Sequence, residues 1–343
     1  MTIEWAIALI APALAAIGTA SLLRRSRWAG PLADLPNERS LHATPTPRVG
    51  GIAILLAALP VAVAFAWNPL AVPLACAAAL AVISIADDVR DLPIEFRLPA
   101  HATAAVIVVL AMGSHAIGGE SLGIAAAVAA ILAIAWMANV FNFMDGADGL
   151  AGGMAVVGFG ALSAGAAIAA DAPLALACAA IASASAGFLA LNFPPARIFL
   201  GDAGSVPLGF LAGALGMQGV LAGAWPCWFP VLVFSPFIVD ASVTLARRIL
   251  RGERFWRAHR DHGYQRLVLA GWPQRRLALT AYALMAACAA SALAGLAGGE
   301  RIRFGILLVW AAMYALLFFA IERHASAANR PQGGQDTTGR PFR

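Results

Sequence analysis

The chain alternates long apolar runs with short polar intervals, and the runs recur at bilayer-spanning length. About eleven are evident, near residues 3 to 23, 49 to 67, 70 to 86, 99 to 113, 121 to 139, 150 to 170, 173 to 192, 205 to 221, 226 to 246, 276 to 298 and 303 to 321. A helix needs roughly 17 to 25 such residues to cross about 30 Å of hydrocarbon. In lipid every backbone amide must find its partner within its own segment. The expected fold is therefore all-α, a polytopic integral membrane helical bundle of about eleven transmembrane helices over residues 1 to 324. Residues 325 to 343 are short of apolar side chains and rich in Gly, Gln, Thr and Arg, and are expected to form a disordered cytoplasmic tail.

Composition agrees with this pattern. Of 343 residues, 61% are hydrophobic and 12% charged, with a mean hydropathy of +0.79, which excludes a water-soluble globule. Cys76, Cys178, Cys227 and Cys288 sit within or beside apolar runs without paired spacing, and read as small apolar side chains rather than disulfides or metal ligands.

The net charge of +5 is carried entirely by arginine, and its distribution speaks to topology rather than to nucleic acid. Counting alternate intervals, one side receives Arg24, Arg25, Arg27, Arg39, Arg48, Arg90, Arg97, Arg197, the cluster from 247 to 276 and the tail. The other side receives only Arg301 and Arg303. By the positive-inside rule the crowded side is cytoplasmic, which puts the amino terminus outside and the carboxyl terminus inside a plasma membrane. The first run has its arginines after the apolar core, the reverse of a cleavable signal, and is expected to be a retained helix.

The candidate chemistry lies on the arginine-rich side. Residues 139 to 153, NVFNFMDGADGLAGG, place Asn139, Asn142, Asp145 and Asp148 among glycines that allow a ligand to approach the backbone. On a helical turn Asp145 and Asp148 would share a face. Asp87, Asp88 and Asp91 follow directly on an apolar run, and three adjacent acids repel one another unless a cation or a proton relieves them. The turn around Asp202, Gly-Asp-Ala-Gly-Ser, enters a helix and offers amides, a hydroxyl and a carboxylate to a phosphate and a metal, with Phe199 as an apolar platform. Asp240, inside the ninth run, is either functional or paired with Arg247 or Arg248. Arg39, His42 and Arg48 either meet phosphate or form a basic topogenic loop, and the later loop with His259 and His262 among Arg257, Arg260 and Arg266 either binds anionic phosphates or a metal or is a basic surface attracted to anionic lipid.

On the opposite side Glu120, Asp171 and Glu300 are isolated. Topogenic turns alone give no reason for aspartates to segregate with arginines. The polar intervals are therefore expected to converge on one cytoplasmic site, where clustered oxygen ligands suit Mg²⁺ or Mn²⁺ on a diphosphate and arginine and histidine offset the remaining charge. The chemistry that fits is phosphoryl transfer between a soluble nucleotide and a lipid acceptor. An ion-coupled secondary transporter is the rival from another class; it predicts acids at mid-membrane and repeated halves.

Together DDVRD at 87 to 91, NVFNFMDGADGLAGG, FLGDAGS at 199 to 205, PTPRVGG at 45 to 51 and HRDHGYQRL at 259 to 267 resemble the polyprenyl-phosphate N-acetylhexosamine-1-phosphate transferase family, from Leu32 to about Arg323. The resemblance implies transfer of an N-acetylhexosamine 1-phosphate from a UDP-sugar to undecaprenyl phosphate, with release of UMP and with Mg²⁺ as cofactor. It implies catalytic roles for Asp87, Asp88, Asp202 and His262, with Asp202, Asp145 and Asp88 at the metal. Asn139, Asn142, Asp145, Asp148, Phe199 and Arg48 would bind substrate, Phe199 by stacking on uracil. A homodimer is left open.

Two departures narrow the expectation. Muramoyl-pentapeptide transferases of the family usually have lysine where this chain has Asp91, and three consecutive histidines where it reads His262, Gly263, Tyr264. The branch that initiates O-antigen or other surface polysaccharides, using GlcNAc, FucNAc or QuiNAc, is therefore expected over peptidoglycan synthesis, which remains the alternative.

Overall fold

The computed structural model describes residues 2–27, 29–34, 44–90, 92–113, 123–254 and 259–328, without the side chains of 67–69. Arg39, His42, Asp91, Glu120, Arg257 and the tail beyond 328 lie outside the described residues. The helices are α1 (Ile3–Arg25), α2 (Gly50–Arg90), α3 (Ile94–Gly113), α4 (Ile124–Met144), α5 (Leu150–Ile168) and α6 (Ala172–Asn192), followed by α7 (Asp202–Leu221), α8 (Trp228–Val233), α9 (Ser235–Leu250), α10 (Gly263–Leu269), α11 (Gln274–Ala297) and α12 (Glu300–Ala328). Two short antiparallel strands, β1 (Ala33–Asp34) and β2 (Thr46–Pro47), fasten the segment that precedes α2.

Among the described residues nine helices are long and apolar enough to span a membrane, and the protein is a multi-pass membrane protein. The expected runs are all helical, but three differ in form. Runs two and three are the halves of α2, which breaks at Ala66 (φ −137°, ψ 19°); its first half, Gly50–Ala66, is shorter than the nine. Both ends of α2 approach the start of α7. A straight helix of 41 residues would hold those ends about 60 Å apart, so the halves double back on each other.

The ninth run is not one helix but two, α8 and α9. Pro236 has no N–H to give to the Leu232 carbonyl, and the Ser235 hydroxyl donates to that carbonyl instead (2.7 Å), so the break leaves no orphaned acceptor there. At the far end α12 stays helical through Ala328, which corrects the expectation that the tail begins at residue 325.

With water excluded on both sides, close backbone approach is what packs the bundle. Gly51 of α2 lies against Gly204 of α7, where an added Cβ would come within 2.2 Å of the neighbouring backbone. Gly187 of α6 lies against the Ala13 carbonyl of α1, and Gly209 of α7 against the Met137 carbonyl of α4 (2.3 Å from an added Cβ in each case). Edge-to-face phenylalanines complete the centre: Phe141 meets Phe234 (5.9 Å) and Phe237 (5.2 Å), and Phe159 meets Phe234 (6.0 Å).

Gly209→Val drives a side chain into backbone that cannot yield. It is expected to destabilise the protein by about 1–3 kcal/mol, read as a lower thermal midpoint in detergent; an unchanged midpoint would contradict the packing described.

Candidate active site

The site is assembled at helix ends. Asp88, in the last turn of α2, has an almost fully buried side chain and accepts the backbone N–H groups of Asp202 (3.2 Å) and Ala203 (3.0 Å), the first amides of α7. These amides have no partners within their own helix, so Asp88 satisfies two orphan donors at the positive end of α7. The preceding residue, Gly201, has φ +74°, and an added Cβ would sit 2.9 Å from Arg48 Cβ and 3.0 Å from Asp88 Oδ2. Arg48 reaches Asp88 Oδ1 at 3.5 Å and also pairs with Asp34.

Asp87 points the other way, into a cavity of about 400 Å³ that Asp202 also lines. Arg97, in the first turns of α3, joins the two: its Nη1 donates to Asp87 Oδ2 (2.8 Å) and Asp202 Oδ2 (3.3 Å). The Leu92 amide donates to the other Asp87 oxygen (2.7 Å). Asn142 Nδ2, from α4, donates to Asp202 Oδ1 (2.8 Å) and to the Ser205 hydroxyl (3.2 Å). The remaining lining carries His101, Asn139, His259 and His262, together with the apolar Leu80, Ile83, Trp136 and Val206.

Asp145 follows α4, beside Asp88 and Asp202. Burial, and then the negative charges of Asp202 and Asp88, push its carboxyl well above the usual carboxylate range, opposed by Arg48 and by the Gly201 amide. Residues 145 to 149 form turns between α4 and α5, so Asp145 and Asp148 do not share a helical face. Asp148 accepts the Ala196 amide (2.9 Å) and holds the connection between α6 and α7. Asn139 donates back to the Ala135 carbonyl of its own helix (2.8 Å). The half-buried Phe199 exchanges backbone hydrogen bonds with the start of α2, its N–H donating to Pro47 and its carbonyl accepting from Gly50 (2.9 Å each).

His262 is buried at the N-terminus of α10, with Phe143 6.1 Å away between ring centroids. Asp240 accepts the Gly263 (2.8 Å) and Tyr264 (3.2 Å) amides, so it anchors the histidine loop rather than pairing with Arg247 or Arg248. It also lies 3.5 Å from His262 Nδ1. The Tyr264 hydroxyl ties the loop to α4 by donating to the Phe143 carbonyl (3.1 Å).

Asp87, Asp88, Asn142, Asp145 and Asp202 therefore gather, with Asn139 and His262 across the same cavity. Asp88, Asp145, Phe199 and Arg48 stand behind Asp202 and do not line it. Among the described residues no three His, Cys, Asp or Glu side chains form a cluster able to hold one metal ion. The donor chemistry still suits a hard cation bound partly through a ligand, since Asp202 and Asp145 offer oxygen and their repulsion is relieved by positive charge.

The chain is similar to known membrane transferases along most of its length. Over 266 residues the chain is 29% identical to a probable undecaprenyl-phosphate N-acetylglucosaminyl 1-phosphate transferase of Bacillus subtilis, covering 73% of each. Over 309 residues it is 29% identical to the undecaprenyl-phosphate alpha-N-acetylglucosaminyl 1-phosphate transferase of Yersinia pestis, covering 84% of this chain and 82% of the relative. It is also 29% identical over 288 residues to a phospho-N-acetylmuramoyl-pentapeptide-transferase of Picosynechococcus, covering 75% of this chain and 76% of the relative. Residues 70–220 match glycosyl transferase family 4. The family 4 match contains Asp87, Asp88, Arg97, Asn142, Asp145 and Asp202, whereas Arg48 and His262 lie outside it and reach the site through the fold.

Arg97 is the residue that reading the chain missed, because an arginine after an apolar run looks topogenic. Its signal was the ten-residue spacing from Asp87, across a break at Leu92 and Pro93 that turns α3 back towards α2.

His259 gives a pH test. Burial, then the charges of His262 and Arg248, push its imidazole down to about 4 from 6.5. The folded chain thus holds that proton more weakly than the unfolded chain. Its contribution is complete above 6.5 and is lost as pH falls towards 4. The wild-type thermal midpoint should fall more steeply over this window than that of His259→Gln; parallel curves would contradict the assignment.

Proposed function

We propose that this membrane protein transfers N-acetylglucosamine 1-phosphate from UDP-N-acetylglucosamine to undecaprenyl phosphate, releasing UMP. An oxygen of the lipid phosphate monoester attacks the sugar-bearing phosphorus of the diphosphate. A new phosphoanhydride forms as the bond between that phosphorus and the bridging oxygen breaks, and the electron pair leaves with UMP. The observation that carries this reading is the Asp87–Arg97–Asp202–Asn142 cluster lining a cavity that also has apolar walls, in a chain whose relatives' names describe this transfer.

Asp202 and Asp145 are the proposed Mg²⁺ ligands, with Asn142 fixing the orientation of the Asp202 carboxylate. Bound Mg²⁺ would offset negative charge on the diphosphate. Arg97 and the histidines face the transferring phosphate from the cavity, Asp87 fixes Arg97, and Asp88 holds α7 in register. Phe199 is the proposed platform for uracil, and Arg48 and Asn139 complete substrate binding. GlcNAc is favoured among the N-acetylhexosamines because the Bacillus and Yersinia relatives are named for it; FucNAc and QuiNAc are the competing sugars. The product is proposed to initiate O-antigen or another surface polysaccharide at the inner face of a bacterial plasma membrane, with the amino terminus outside and the carboxyl terminus in the cytoplasm.

A second reading, muramoyl-pentapeptide transfer, is favoured by relatives of that name, including one from Nostoc 34% identical over 171 residues, 47% of this chain. The single histidine at 262 argues against it.

Purified protein given undecaprenyl phosphate, Mg²⁺ and either UDP-N-acetylglucosamine or UDP-N-acetylmuramoyl-pentapeptide should release UMP with the first. Asp202→Asn should lower that rate about 100-fold or more while leaving the thermal midpoint in place. Release of UMP with the pentapeptide donor alone would select the second reading, and near wild-type turnover by Asp202→Asn would remove Asp202 from the metal.

A further inference from the structure

On the side of α9 away from the catalytic cavity, α9 and α12 form a second pair of linked hollows. Val239 and Val243 of α9, with Tyr314, Phe318 and Phe319 of α12, line an open apolar groove of about 440 Å³. Beside it is a hollow of about 170 Å³ lined by Arg247, Arg248, Arg251 and Arg266. Arg247 and Glu322 line both, so the two adjoin. The groove faces the bilayer: α12 is a spanning helix, and Leu316 and Phe319 beside the groove are 64% and 60% exposed.

The charges around the hollow do not close on themselves. Glu322 is shared by Arg247 (2.9 Å) and Arg266 (3.1 Å), Arg248 pairs with Glu253 (2.9 Å) and with Asp261, and Arg251 approaches Glu253 only at 3.9 Å. Four guanidinium groups thus face three carboxylates, and the buried Nε of Arg248 has no hydrogen-bond partner among the described residues. A guanidinium fork matches the oxygen geometry of a phosphate, and a lipid-facing groove matches an acyl chain.

We propose that this surface binds an anionic phospholipid, with its phosphate in the arginine hollow and an acyl chain along the α9–α12 groove. A free phosphate would fill the hollow and leave the groove uncovered; a zwitterionic lipid would fill the groove but bring its own cation to the arginines. The bound lipid would grip the elements that hold His262, because Arg266 lies on α10, whose first amides are held by Asp240 of α9. The proposal goes beyond the transferase reading and does not depend on it.

Native mass spectrometry of the full chain in detergent tests it, with phosphatidylglycerol, phosphatidylcholine and inorganic phosphate as probes. Phosphatidylglycerol should be retained about tenfold more tightly than phosphatidylcholine. Arg251→Gln and Arg247→Gln should each weaken its retention about tenfold, and millimolar phosphate should fail to displace it. Among the described residues the exposed Arg251 makes one distant ion pair, so its variant reports on binding even if Arg247→Gln fails to fold. Equal retention of the two lipids, wild-type retention by Arg251→Gln, or displacement by inorganic phosphate would each overturn the proposal.

Discussion

A carboxylate from one helix closes the open end of another, and the candidate site depends on that join. Asp88 of α2 takes the first two amides of α7, and beside it the start of α2 pairs with the chain entering α7: Gly50 and Gly51 donate to the Phe199 and Leu200 carbonyls, at 2.9 Å each. Buried under the Asp88 carboxylate those amides have no water to turn to, so an unfilled helix end there is costly. The same join sets where Asp202 points. It leaves one oxygen for Asn142 and the other for Arg97, and so brings α2, α3, α4 and α7 to a single point.

This arrangement explains why acids can accumulate beside an apolar bundle. Each is answered by a backbone amide or by an arginine: Asp88 by the first amides of α7, Asp148 by the Ala196 amide, Asp240 by the first amides of α10, and Asp87 and Asp202 by Arg97. Asp145 has the weakest answer, and its carboxyl is held well above the usual range by burial and by its acidic neighbours. The proposed Mg²⁺, arriving with an anionic ligand, would offset the charge of this poorly compensated acid and of its neighbour on the helix N-terminus.

Much of this was legible in the chain. Apolar run length located the spans, because lipid leaves helices as the workable form for a long apolar segment, and the segregation of aspartate with arginine pointed to one face. The alignment of Asp87, Asp88, Asn142, Asp145 and Asp202 follows from that parity. What could not be read depends on distant partners. Run length alone does not show that Pro236 splits the ninth run, since the break is sustained by the Ser235 hydroxyl and by Tyr314 of α12, 2.7 Å from it. The helical face expected for Asp145 and Asp148 fails because residues 145 to 149 turn to meet α5, where Asn192 accepts the Gly149 amide at 2.9 Å. Asp240 looked either functional or paired with Arg247 or Arg248, and its carboxylate is bound to the first amides of α10.

The proposed Mg²⁺ site requires that Asp145 and Asp202, from two separate segments, hold one divalent ion in the presence of a nucleotide diphosphate. Electron paramagnetic resonance of Mn²⁺ titrated into the purified protein with UDP-N-acetylglucosamine tests it most directly. The account predicts one tightly held Mn²⁺ per chain, lost in both Asp145→Asn and Asp202→Asn. Retention of the ion by either variant, or no nucleotide-dependent binding in the wild type, would contradict it.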